Sequence, residues 1–264
     1  MAGTTAAERG DRERVPSGPP LLRRLRRLKA RTMIILAVTV TLLGAGCVWL
    51  LYGSPWLRVD RVAVSGTRVL TPAEVRRAAA VPVGSPLLSV DTAAIGARLR
   101  RELPRIRTVE VFRSWPHGIG LKITERTPVL VLEKSGRFIE VDGQGVRFAT
   151  VSRRPAAVPT LDLDLSSPGS AGASLRRFGQ DRLVREAVAV AGRLPAAAAR
   201  DTRVVKVRSY DDISLELTGG RTVAWGSAGN GPAKARTLTA LMKASPGSRH
   251  FDVSVPTAPA SARS

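Results

Sequence analysis

Residues 32–57 carry no charge, and six basic residues, Arg23, Arg24, Arg26, Arg27, Lys29 and Arg31, stand directly before them. An α-helix needs about 20 predominantly apolar residues to cross a hydrocarbon core of about 30 Å, and residues 33–51 form such a run of 19, broken only by Thr39 and Thr41. Tyr52 and Trp56 follow, where amphipathic rings mark a membrane interface. Basic residues mark the cytoplasmic end of such helices, so residues 1–31 are expected inside the cell and everything beyond about residue 57 outside. A core helix of a soluble protein is rarely apolar on every face for this long. A cleaved signal peptide has an apolar region of about 7–15 residues behind a short leader, whereas this leader is 31 residues long. A lipoprotein signal at Cys47 is disfavoured by Gly44, and Cys47 reads as a small apolar membrane residue.

The 207 residues after Leu57 must fold on their own core. The single cysteine permits no intramolecular disulfide, and a hydrophobic content of 44% suffices for a core. Nine Lys/Arg against three Asp/Glu put +6 of the net +21 before the anchor and leave +15 after it. That surplus suits anionic envelope polymers or lipid head groups, and an arginine-rich coding bias accounts for it equally well. So basic a chain also invites a nucleic-acid reading. Its arginines are scattered along every element, however, and aromatics at 4% leave few stacking platforms, so no nucleic-acid partner is expected.

Residues 1–20 are polar and rich in Pro and Gly, too poor in apolar surface to offset the entropy of ordering. Leu21, Leu22, Leu25 and Leu28 among arginines suit a short basic amphipathic helix or a plain topology signal. Residues 1–31 together read as a basic, disordered cytoplasmic tail, and 32–56 as the transmembrane helix with its interface. Beyond it, Val62 and Val64 share one face of a strand that Ser65-Gly66 stops. Thr71-Pro72-Ala73-Glu74 combines a capping box with proline at the first helical position. Asp91 is an N-cap for a second helix with Ile95, Leu99 and Leu103 in one stripe. Val109, Val111 and Trp115 alternate before a type I turn at Trp115-Pro116-His117-Gly118, and Ile119, Leu121 and Ile123 alternate after it. Residues 57–126 thus form a β-α-α-β-β unit.

Residues 127–256 read as a mixed, β-rich domain with two helices. A meander spans 128–151, with turns at Lys134-Ser135-Gly136 and Asp142-Gly143-Gln144-Gly145. One short strand lies near 158–165, residues 166–179 loop out, and an amphipathic helix covers 181–194. Strands follow at 202–209, 213–218 and 222–225, with Gly219-Gly220 as a tight hairpin. A helix at 232–244 leads into a last strand, 249–255, with Phe251, Val253 and Val255 on one face and His250, Asp252 and Ser254 on the other. Residues 257–264 are expected to be a disordered tail. The fold class is α+β.

Chemistry is hard to place. The two histidines, His117 and His250, have no Ser or Cys nucleophile in a recognisable context. Asp162 and Asp164 share a strand face and Asp211-Asp212 a turn, which fits solvated edges better than an acid–base pair. Two distant histidines and a membrane cysteine make no metal set. No catalysis, cofactor or metal is expected. Recognition through unpaired strand edges remains, where a partner strand completes the ladder and alternate side chains give specificity.

Three stretches then carry a resemblance: LRVDRVAVSGTRVLTPAEV, GSPLLSVDTAAIGARLRRELPRIRTVEVFRSWPHGIGLKITERTPVL and VDGQGVRF. They resemble the extracytoplasmic part of the FtsQ/DivIB family of bacterial cell-division proteins, over residues 21–256. The resemblance implies that 57–126 is a POTRA-like domain and 127–256 the family's β domain. It implies a bitopic scaffold of the divisome at the septum, docking FtsB/DivIC-like and FtsL-like proteins at the end of the β domain and other divisome components on the POTRA-like unit. Carried residue by residue, the docking strand is Phe251, Asp252, Val253, Ser254 and Val255, with His250 beside it and Lys234 in the preceding helix. Pro256 and Pro259 depart from the pattern by ending the strand early. Val253→Pro is expected to abolish partner capture in a folded domain by removing a ladder donor. The competing classes are a POTRA-bearing translocation or envelope-assembly component, which needs repeated units or barrel strands, and a membrane-anchored cell-wall hydrolase, which needs a nucleophile or metal.

Overall fold

The computed structural model describes residues 21–164 and 170–263. The tail expected at residues 1–20 lies outside these residues. Helix α1 (Leu21–Tyr52) begins inside the stretch expected to be disordered to residue 31, so residues 21–31 are helical and continue into the anchor. Among the described residues, Arg31–Tyr52 is the one helical span long and apolar enough to cross a membrane. At 1.5 Å per residue its 22 residues reach about 33 Å. None of it is buried by protein, and Ile34, Leu36, Leu42, Leu43 and Trp49 are all exposed, as a lipid-facing helix requires.

A short 3-10 turn (Pro55–Leu57), with Ser54 Oγ accepting from the Trp56 N–H, leads into the first domain. Its elements are β1 (Arg61–Ser65), α2 (Pro72–Ala79), α3 (Thr92–Glu102), β2 (Ile106–Ser114) and β3 (Gly118–Glu125), in sheet order β1-β3-β2. The capping box at α2 is reciprocal: Thr71 Oγ1 accepts from Glu74 N–H at 3.2 Å, and Glu74 Oε2 accepts from Thr71 N–H at 2.8 Å. Asp91 accepts from Ala93 and Ala94 N–H at 2.9 Å and starts α3. Glu125 holds the loop after β1 by accepting from the N–H groups of Arg68, Val69 and Leu70. Val75, Ile95, Leu99, Ile119, Leu121 and Ile123 form the core between helices and sheet. The turn between β2 and β3, expected as type I, contains a cis Trp115–Pro116 peptide.

The second domain comprises β4 (Pro128–Lys134), β5 (Arg137–Asp142), β6 (Arg147–Val151), β7 (Thr160–Leu163), α4 (Ser170–Phe178), α5 (Gln180–Ala191), α6 (Ala196–Asp201), β8 (Thr202–Ser209), β9 (Asp212–Leu217), β10 (Thr222–Ala224), α7 (Gly231–Ala244), β11 (His250–Asp252) and β12 (Ala260–Ala262). One sheet holds its strands in the order β12-β11-β10-β9-β8-β7-β4-β5-β6. Among the described residues the domain has four helices where two were expected. Part of the expected loop at 166–179 is α4, whose Phe178 stacks on Tyr210 with ring centroids 4.6 Å apart; residues 165–169 lie outside the described ones. Leu183, Val184, Ala187 and Val188 of α5 pack with Val205, Val207, Ile213, Leu215 and Trp225 on one face of the sheet.

Two pairs of a part-buried arginine with a buried carboxylate join the domains. Arg105 donates to Glu140 at 2.6 Å, and Arg126 pairs with Asp142. Burial by itself would raise the Asp142 carboxyl. The N–H groups of Val146 and Gln144 and the Arg126 guanidinium outweigh burial and hold it below the ordinary 3.8.

Candidate partner-docking edge

The end of the sheet farthest from the meander is built from short strands. β10 leaves a hairpin whose Gly219 and Gly220 have φ of 73° and 69°, which only glycine adopts freely. α7 then supplies the crossover that a parallel neighbour needs, and β11 returns beside β10 with Thr222 opposite His250, Val223 opposite Phe251 and Ala224 opposite Asp252. β11 is not the edge, however. β12 pairs with it antiparallel, placing Ala262, Ser261 and Ala260 opposite His250, Phe251 and Asp252. The tail expected to be disordered at 257–264 is thereby corrected over residues 260–262. Pro256 and Pro259 turn the chain back, and backbone pairing needs no apolar side chain.

His250 is exposed, with Nδ1 2.6 Å from Thr222 Oγ1. Phe251 and Val253 are buried in the core, and Val253 N–H donates to Ala224 O at 2.9 Å. That inward bond corrects the expectation for Val253→Pro. The substitution would break the β10–β11 ladder and the core rather than a docking contact. Asp252 is exposed, and its Oδ1 accepts from Ser254 N–H at 2.9 Å and Ser254 Oγ at 2.7 Å. This side-chain turn ends the strand at Asp252, so Val255 lies exposed rather than on the inward face.

Lys234 is 2% exposed, so the expected surface contact of its side chain is corrected to a positioning one. Its Nζ donates to Trp225 O at 2.8 Å and Ser227 O at 2.9 Å, tying α7 to the end of β10. Burial lowers the lysine pKa, with the Asp211 and Asp252 carboxylates acting in the opposite sense. The unfolded lysine keeps its proton up to 10.5 while the folded one releases it earlier, so stability rises with pH through that window. Lys234→Met is expected to flatten this rise in thermal unfolding at alkaline pH. It also leaves two carbonyls without their donor, at about 1–3 kcal/mol for an orphaned buried acceptor. An unchanged slope would show that another group titrates.

Sequence reasoning missed β12, since alternating Ala and Ser carry no hydrophobic period, and missed the buried Trp225 as the ring beneath β10 and β11. The other candidates stay apart. His117 Nε2 accepts from Arg61, 2.6 Å away, and Asp162 and Asp164 lie 3.6 and 3.8 Å from Lys206 Nζ. Among the described residues, no group of three His, Cys, Asp or Glu could hold a metal.

An N-terminal helix long and apolar enough to span a membrane precedes a three-stranded β-α-α-β-β domain and a β-rich domain, the layout of a membrane-anchored protein with two folded domains. Residues 57–126 match the family model described as "POTRA domain, FtsQ-type". Cell division protein FtsQ of Streptomyces collinus is 68% identical over the full length of both chains, and that of Streptomyces coelicolor 69% over the full length of both. FtsQ of Mycolicibacterium smegmatis is 34% identical over 88% of this chain and 65% of its own. The extracytoplasmic domain of DivIB from Geobacillus stearothermophilus gives a TM-score of 0.31 at 16% identity, covering 46% of this chain and 94% of its own, too slight to bear on the fold. The chain belongs to the FtsQ/DivIB family of bacterial cell-division proteins, and its role lies in the divisome.

Proposed function

We propose that the chain is a non-enzymatic bitopic scaffold that recruits FtsB/DivIC-like and FtsL-like proteins to the septum by strand addition at β11. Its tail lies in the cytoplasm, and the domains at 57–126 and 127–256 lie outside the cell. The six basic residues before the uncharged run support this orientation. The observation that carries the docking edge is the weakness of what covers it: β12 is three residues long, of Ala and Ser, and exposed throughout. A partner strand displaces β12 and takes its place along His250, Phe251 and Asp252. The exposed His250 and Asp252 side chains then read the partner, while Phe251 and Val253 hold the strand to the core. Membrane confinement raises the effective concentration, so a short ladder suffices.

Capture of the partner's extracytoplasmic segment by full-length protein tests this. Asp252→Pro, which removes an N–H at the end of the three-residue pairing, is expected to abolish capture, and Asp252→Ala, which loses only the side-chain contact, to weaken it without abolishing it. Equal capture by both variants, each unfolding near the wild-type temperature, rules out pairing at β11.

A further inference from the structure

We propose that the membrane-proximal end of the POTRA domain is a second membrane contact, seated on the outer leaflet beside α1. Three segments converge there. The connector after α1 is not a free linker: Gly53 and Ser54 N–H donate to Trp49 O at 2.7 and 3.1 Å, and α1 lies beside the Leu87–Ser89 turn. The loop at residues 82–86 is clamped to the connector by Val59 N–H on Ser85 O, Gly84 N–H on Val59 O, and the Arg58 guanidinium on Gly84 O. The β2–β3 turn is clamped by Asp60 and Arg61 N–H on His117 O and by Arg61 against His117 Nε2. Parallel pairing of Arg61 with Gly118 sets that turn at the end of the sheet where the chain arrives from the membrane.

This end carries large apolar side chains that the protein leaves uncovered: Trp56 at 81%, Val83 at 65% and Trp115 at 54% exposure. Arg58 and Arg61 are exposed among them. Indole rings and arginines side by side suit the head-group layer of an anionic bilayer, where the ring enters the boundary and the guanidinium meets phosphate. The occupant is the bilayer that holds α1, because at most about 3.6 Å per residue separates Tyr52 from Arg58 and the folded connector is shorter than that limit. The inference rests on α1 spanning the membrane.

The test uses the full chain with Cys47→Ser, reconstituted in nanodiscs containing phosphatidylglycerol. An environment-sensitive fluorophore is placed at Val83→Cys, with Thr150→Cys in the second domain as the reference site. Quenching by head-group-proximal nitroxide lipids is expected to be at least about twofold stronger at residue 83 than at 150, with aqueous iodide quenching reversed in order. Adding Trp115→Ser is expected to cut the lipid quenching while leaving the unfolding temperature unchanged, since the ring is half exposed. Equal quenching at both sites, or no response to Trp115→Ser, overturns the proposal. Protein that fails to co-elute with the discs overturns it differently, by removing the anchor on which it rests.

Discussion

Removal of residues 256–264 is expected to tighten capture of an FtsB/DivIC-like segment by about tenfold, a difference of roughly 1.4 kcal/mol. β12 covers β11 through three residue pairs, and a backbone hydrogen bond contributes only about 0.5–1.5 kcal/mol net. Ordering each residue costs about 1–2 kcal/mol in return. Ala260, Ser261 and Ala262 are exposed and add little burial, so the cover is held weakly. A partner strand that must first displace it forfeits that amount. Titration of the partner against full-length and truncated protein measures the difference. A truncated protein that loses capture would make β12 the docking strand and reverse the assignment.

Asp142→Ala is expected to lower the unfolding temperature on the order of 10 °C and to open the Arg126–Thr127 bond to trypsin. The substitution removes the buried carboxylate partner of the part-buried Arg126, which keeps only its bond to Pro104 O, and breaking a fully buried pair from one side, the upper bound here, costs about 3–5 kcal/mol. It also frees the N–H groups of Gln144 and Val146, which donate to Asp142 Oδ1 at 2.8 and 2.9 Å and shape the β5–β6 turn. Because the folded carboxyl titrates below 3.8, its stabilisation is complete above that value and is lost as pH falls through the lowered one. Asp142→Asn is therefore expected to be less stable than wild type at neutral pH and to lack this part of the acid transition. A variant as trypsin-resistant as wild type would show that the Arg105–Glu140 pair alone holds the domains.

Most of the architecture was legible because local chemistry and tertiary packing agree. The Thr71–Glu74 capping box, the Asp91 cap and the Ile119, Leu121 and Ile123 alternation each stand where the pattern predicts. α4 was hidden by Ser170, Gly172 and Ser174, residues that favour loops until Phe178 finds Tyr210 across the domain. The candidate site was legible only in outline. Periodicity located the strand but could not reveal that Ser254 folds back onto Asp252, or that a run with no hydrophobic period would pair beside it. Lys234 looked like a surface residue because lysine is seldom buried. Its acceptors, Trp225 O and Ser227 O, are main-chain atoms that no side-chain pattern announces.

The seam between β4 and β7 gives the sheet a mechanical grain. Only Val131 with Thr160 and Leu132 with Leu161 pair across it, while β8 and β9 share a far longer ladder. The pairs that grip the POTRA domain, Glu140 and Asp142, lie on β5, on one side of the seam, and β11 lies on the other. Tension between a partner at β11 and the anchor in the bilayer is shared among those two residue pairs, the covalent connection from β6 to β7 and α5, which packs against both β4 and β8.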